Sequence, residues 1–148
     1  MSATNAFETA LLQHIFQNAA IANIGDATGL PPAATAGSLF VSLHTADPGE
    51  TGTQSTSEAT YTGYARQAVA RTAGGWTVSG NNASNTAAVT FGPCTAGTST
   101  ITHFGIGTAS SGAGNLLFKG ALTASLTVTT VSNATQTFAP GQLDVDVD

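Results

Sequence analysis

The sequence predicts a mainly β protein, an antiparallel β-sandwich or jelly-roll-like domain with one amphipathic helix at its N-terminus. Three observations lead there. Apolar residues recur at helical spacing only ahead of residue 25, the apolar period falls to two after Ser38, and Gly, Asn and Pro then interrupt the chain at short intervals. No stretch of helical period separates the later apolar runs, so the crossovers of a parallel α/β sheet are not expected. A chain of 148 residues is long enough to bury a core without metals or disulfides.

Residues 5–24 read as the helix. Asn5 is placed to cap it, with Glu8 three residues on to complete a capping box. Phe7, Leu11, Ile15, Ala19 and Ala22 form its apolar stripe, which Leu12 and Phe16 widen, and Gly25-Asp26 stops it. So wide a stripe must be covered, either by the chain's own sheet or by a neighbouring subunit. Residues 25–37 form a linker in which Pro31-Pro32 enforces extended backbone. The division expected is therefore an arm, 1–30, and a β-sandwich domain, 31–148.

The first strand is 39–44, where Leu39, Val41 and Leu43 alternate with Phe40, Ser42 and His44. Ala46-Asp47-Pro48-Gly49 is a turn, and the Thr- and Ser-rich tract to residue 60 is an exposed loop. Further strands are expected at about 62–71, 75–80, 87–92, 101–108, 115–122, 125–131 and 135–147, the last broken at Pro140-Gly141. Gly74-Gly75, Gly80-Asn81-Asn82, Gly97, Gly112-Ala113-Gly114 and Asn133 mark the turns between them.

Charge narrows the function. Only 7% of residues are charged, against about 25% in an ordinary globular protein. A surface of Thr, Ser, Ala, Gly and Asn offers little repulsion between copies, so association is easy. The cations are Arg66, Arg71 and Lys119, too few and too scattered to neutralise phosphates, and nucleic-acid binding is not expected. No apolar run reaches membrane-spanning length, and no basic segment opens a signal peptide, so a soluble chain made in the cytoplasm is expected. Cys94 stands alone and reads as a small, part-buried apolar residue.

Templates for chemistry fail in turn. His14, His44 and His103 show no metal-ligand spacing, and a metal on His44, Asp47 and Glu50 competes poorly with ordinary turn chemistry at Asp47. Gly105-Ile106-Gly107 and Gly112-Ala113-Gly114 lead into a strand pattern rather than a helix, so they read as a hairpin and not a phosphate cradle. Leu143-Asp144-Val145-Asp146-Val147-Asp148 alternates strictly, with carboxylates on one face. Along a strand those carboxylates are about 7 Å apart, too far to share one ion, and the reading is a half-buried strand. No enzyme, metal or cofactor is expected.

Arg66 and Arg71 lie in one predicted strand with Tyr64, which suggests pairing with scarce acids inside the fold or across an interface. The interface candidates are Phe7, Leu11 and Ile15 on the helix and Tyr64, Arg66 and Arg71 on that strand. Trp76 is expected to cap the core beside Gly74-Gly75.

One resemblance covers nearly the whole chain. It runs through Leu39-Phe40-Val41-Ser42-Leu43-His44-Thr45-Ala46-Asp47-Pro48-Gly49-Glu50, Thr60 to Arg66, Trp76 and Val89-Thr90-Phe91. It continues in Thr102-His103-Phe104-Gly105-Ile106, Gly114 to Leu122, Phe138 and the ending from Leu143 to Asp148. Taken in order, these segments resemble a family of tailed-bacteriophage virion proteins whose members are labelled head decoration or tail fibre. The resemblance implies a non-enzymatic virion protein. The first expectation is a trimeric capsid decoration or cement protein bound to the major capsid protein or another virion protein; the alternative is a tail or neck fibre component. A carbohydrate-binding module is a third, needing exposed rings among Trp76, Tyr61 and Tyr64.

Overall fold

A computed structural model describes residues 2–132 and 134–147; the turn read at Asn133 and the end of the C-terminal strand at Asp148 lie outside the described residues. The chain is mainly β, with antiparallel pairing and one N-terminal helix, as the sequence predicts. After α1 (Asn5–Gln17) come β1 (Ser38–His44), β2 (Gln67–Ala70), β3 (Trp76–Ser79), β4 (Asn82–Asn85) and β5 (Val89–Thr90). Then follow β6 (Thr98–Gly107), β7 (Leu116–Thr129), β8 (Thr137–Phe138) and β9 (Asp144–Asp146). Their order is β2-β1-β6-β7 in a four-stranded sheet and β3-β4-β9 in a three-stranded one, with β5 and β8 as a pair.

Contacts group the chain into two units. The first holds the residues up to Ser38, Val69–Val89 and those from Phe138 on; the second holds Leu39–Ala68 and Thr90–Thr137. The grouping differs from a division at residue 30, because the helix is held by strands far along the chain.

In the first unit α1 packs on β3 and β4. It is shorter than predicted. Asn18 takes a left-handed φ of 54°, and its N–H and that of Ala19 both donate back to the Gln13 carbonyl, which closes the helix one turn before Ala22. The capping box is also absent: Thr4 is the N-cap, and the Phe7 and Glu8 N–H groups donate to its carbonyl at 2.8 and 3.0 Å. The buried face is Glu8, Leu12 and Phe16, one residue round from the expected stripe. Phe16 meets Trp76 with ring centroids 4.7 Å apart and tilted by 59°, and both rings are fully buried. Around them lie Ile21, Ala83, Leu143 and Val145 in the unit's core.

Strand β4 was not expected, since Asn82-Ala83-Ser84-Asn85 has poor strand propensity. Tertiary bonds override that preference. Asn85 donates to the Ala87 and Ala139 carbonyls at 2.7 and 2.9 Å, and its Oδ1 accepts the Leu143 N–H at 2.8 Å. β4 thereby joins β3 and β9, with Trp76 opposite Asn85 and Ala83 opposite Val145.

In the second unit β1 pairs with β6, Phe40 opposite Gly107 through His44 opposite His103. Leu39, Val41 and Leu43 are buried as the alternation predicts, but Ser42 and His44 on the other face are buried too. The runs 115–122 and 125–131 form one 14-residue strand, β7. Its ladder with β6 slips between Ala121 and Leu126, which is where the sequence suggested a break. The expected strand 62–71 begins only at Gln67, because Tyr61–Tyr64 is a turn closed by the Tyr64 N–H on the Tyr61 carbonyl at 3.1 Å. Gly63 sits there at φ 103°, where a Cβ would strike the Pro93 carbonyl oxygen. The loop 45–60 is not wholly exposed either: Pro48, Gln54 and Ala59 are buried.

Candidate functional site

The most developed polar constellation lies in the second unit, on the turns either side of Tyr61–Tyr64. Arg66 Nε donates to Glu58 Oε1 and Nη2 to Oε2, both at 2.7 Å, a two-pronged pair. The same guanidinium donates from Nη1 to the Ala109 carbonyl at 2.9 Å and from Nη2 to the Gly112 carbonyl at 2.6 Å, so it ties the β6–β7 loop down. Tyr64 Oη donates to Glu58 Oε1 at 2.7 Å and accepts the Leu43 N–H at 3.1 Å. Its ring stacks on Phe91, 5.9 Å away and nearly parallel. The Arg66 side chain is 2% exposed and Glu58 17%. A shallow cavity of about 340 Å³ opens above them, lined by Glu58, Tyr64, Arg66 and Ser110 to Gly112.

Electrostatics keeps Arg66 charged and Tyr64 neutral. The bonds to Glu58 hold the Arg66 guanidinium charged, above its usual value. Burial pushes the Tyr64 phenol well up, and the Glu58 carboxylate pushes the same way. With its cation bonded to Glu58 and two carbonyls, the cluster ties residues 58–66 to the β6–β7 loop.

Two further polar groups brace the unit. Gln54, fully buried, donates from Nε2 to the Phe40 carbonyl at 3.1 Å and accepts the Ala109 N–H at 2.9 Å, while its own N–H donates to the Ala113 carbonyl at 2.8 Å. Gly107 and Gly114 pack against it, and a Cβ at either would strike the Gln54 side chain. Ser42 and His44 form a serine–histidine pair that invites a catalytic reading. His44 Nδ1 lies 2.8 Å from the Thr56 carbonyl and so must carry the proton, leaving Nε2 to accept the Ser42 hydroxyl at 2.9 Å. Both side chains are fully buried, so no substrate reaches the hydroxyl. Burial lowers the His44 pKa and favours the neutral ring.

The remaining predicted residues are dispersed. Arg71, in the first unit, donates to the Ile15 and His14 carbonyls at 2.6 and 2.7 Å and to the Ala36 carbonyl at 3.3 Å, so it caps the C-terminal turn of α1. Phe7 is 42% exposed, and Leu11 and Ile15 are partly exposed. Asp47 and Glu50 do not approach His44 but share Lys119 Nζ, each at 3.1 Å. Asp144 and Asp146 point away from buried Leu143 and Val145 and both accept from the Asn82 amide. Among the described residues, no group of three His, Cys, Asp or Glu side chains is placed to hold a metal ion, and no helix is long and apolar enough to cross a membrane. Trp76 and Tyr61 are buried, which removes two of the three rings a saccharide could stack on.

Sequence reasoning anticipated that Arg66 would find a scarce acid but not which one. Glu58 is the acid closest to it in sequence, and that proximity was the available signal. Gln54 and the Ser42–His44 pair carried none, since a Gln in a polar tract looks solvated until the loop folds back.

The comparisons place this antiparallel β protein among the structural proteins of tailed-phage virions. The family described as podophage GP4 fiber I protein gp80 matches residues 2–146, and the chain belongs to that family. No curated protein matches it.

Proposed function

We propose that the chain is a non-catalytic subunit of a fibre on the tailed-phage particle. The observation that carries this is the family match, which spans residues 2–146 and names a fibre protein. The reading reverses the order of the two structural roles expected from the sequence, fibre ahead of head decoration. The occupied cations support a particular mode of assembly. Arg66, Arg71 and Lys119 are each bonded to acceptors of their own chain, so contacts to itself or to a neighbouring virion protein rest on apolar and backbone groups. Such contacts withstand salt that would screen exposed charge pairs.

The test is to locate the protein in the virion by gold-labelled antibody or by density difference against particles lacking it. Label on fibres, and particles without fibres when the protein is absent, are the expected results. Label over the head shell, with fibres intact in its absence, would overturn the fibre reading in favour of decoration. Release of the protein by moderate salt alone would overturn the proposed mode of contact.

A further inference from the structure

We propose that α1 is an exchangeable arm: residues 18–37 open as a hinge, and α1 of one copy fills the seat on β3 and β4 of a second copy, reciprocally. The seat names its occupant, because it already fits this helix and recognises it by more than apolar area. Leu12 and Phe16 are buried in it, Phe16 against Trp76. Thr9 Oγ1 lies 2.8 Å from the Gly80 carbonyl, and Gln17 Nε2 donates to the Trp76 carbonyl at 2.8 Å. Arg71 closes the far end on the Ile15 and His14 carbonyls. All of these contacts form equally well whichever copy supplies the helix, so exchange joins two chains without giving up any of them.

The hinge is built to open. Residues 22–35 are exposed apart from half-buried Gly29, and the bonds that fold them back stay within the hinge. Ile21 and Leu30 exchange N–H and carbonyl at 3.0 and 2.8 Å, and the Asn18 amide pairs with the Ala33 N–H and carbonyl, both at 2.9 Å. The closed form also bends the backbone where opening relaxes it. Asn18 and Asn23 hold φ at 54° and 61°, two of the three non-glycine residues with positive φ among those described. Gly29, at φ 65°, turns so tightly that a Cβ would strike the Ile21 carbonyl oxygen. Pro31-Pro32 favours extended backbone, and opened out residues 22–35 span about 45 Å, against roughly 20 Å for α1 itself. The seat lowers the cost of release: the Trp76 Nε1–H is buried with no acceptor among the described residues, and water entering an opened seat would supply one.

The inference does not rest on where the protein sits in the particle, and its test uses the purified full chain. Unfolded and refolded at high concentration, the wild type should give a dimer beside the monomer, separable by size. Gly29→Val bars the closed turn and should raise the ratio of dimer to monomer about tenfold or more. Asn23→Val, a milder and fully exposed change, should raise it less and decides the matter if the first variant fails to fold. Replacing residues 22–29 by a two-residue Asn-Gly turn suits the closed pairing of Ile21 with Leu30 and should lower the ratio. In dimers refolded from isotope-labelled and unlabelled chains, filtered NMR should find the Phe16–Trp76 ring contact between chains. A wild type that refolds only to monomer, a ratio unmoved by the hinge variants, or a Phe16–Trp76 contact confined to one chain would each overturn the proposal.

Discussion

The two units solve the same problem, fixing loops and turns with few charges, by different means. In the first, aromatic packing dominates: Phe16 and Trp76 fill the space between α1 and the β3–β4 hairpin, and Arg71 merely neutralises the carbonyls at the helix end. In the second, buried polar groups dominate: Glu58, Arg66, Gln54 and His44 hold the loop 45–60 and the β6–β7 turn in place. The difference teaches where each is vulnerable. A packed aromatic pair fails by cavity, and a buried polar network fails by leaving one partner unpaired.

The largest effect should come from the aromatic pair. Phe16→Ala removes a fully buried ring and should cost about 3–5 kcal/mol in chemical denaturation. Hydrogen exchange should show the loss first in α1 and β3, and equal loss of protection throughout β6 and β7 would break the comparison. Arg66→Met should cost about 3 kcal/mol, the lower end for breaking a buried pair, because Glu58 is 17% exposed and can recover some hydration. The loosened protection should map to residues 54–66 and 108–115.

Titration sharpens the contrast. Burial lowers the His44 pKa in the folded state, so the unfolded chain takes up the proton first as pH falls. His44 thus contributes stability that is present above about pH 6.5 and is lost as pH falls below it toward the depressed folded value. At the other end, the raised Tyr64 pKa means that the unfolded phenol ionises first, so stability falls as pH climbs past about 10. Denaturation midpoints across pH should show both limbs, and His44→Gln should flatten the acid limb below about pH 6.5. An acid limb unchanged in that variant would assign it to other groups. The smallest effect belongs to the surface: Lys119→Ala should cost less than about 1 kcal/mol, fading in high salt, since its partner Glu50 is almost fully exposed.

The sequence by itself determined the class of this protein. The change of apolar period near Ser38, the turn residues and the charge-poor composition are local properties, and they were enough for a mainly antiparallel β chain with one leading helix. They also placed β1, the β6–β7 hairpin and the alternation of Leu143 to Asp146. Tertiary structure decided what local preference cannot. It turned α1 so that Glu8, Leu12 and Phe16 face inward, and it ended the helix at Asn18. It made a strand of Asn82–Asn85 through bonds to residues more than fifty positions away. It also chose Glu58 and two loop carbonyls as the partners of Arg66. Each of these depends on which distant group arrives to satisfy a buried donor or fill a volume, and that is a property of the folded whole rather than of any window of residues.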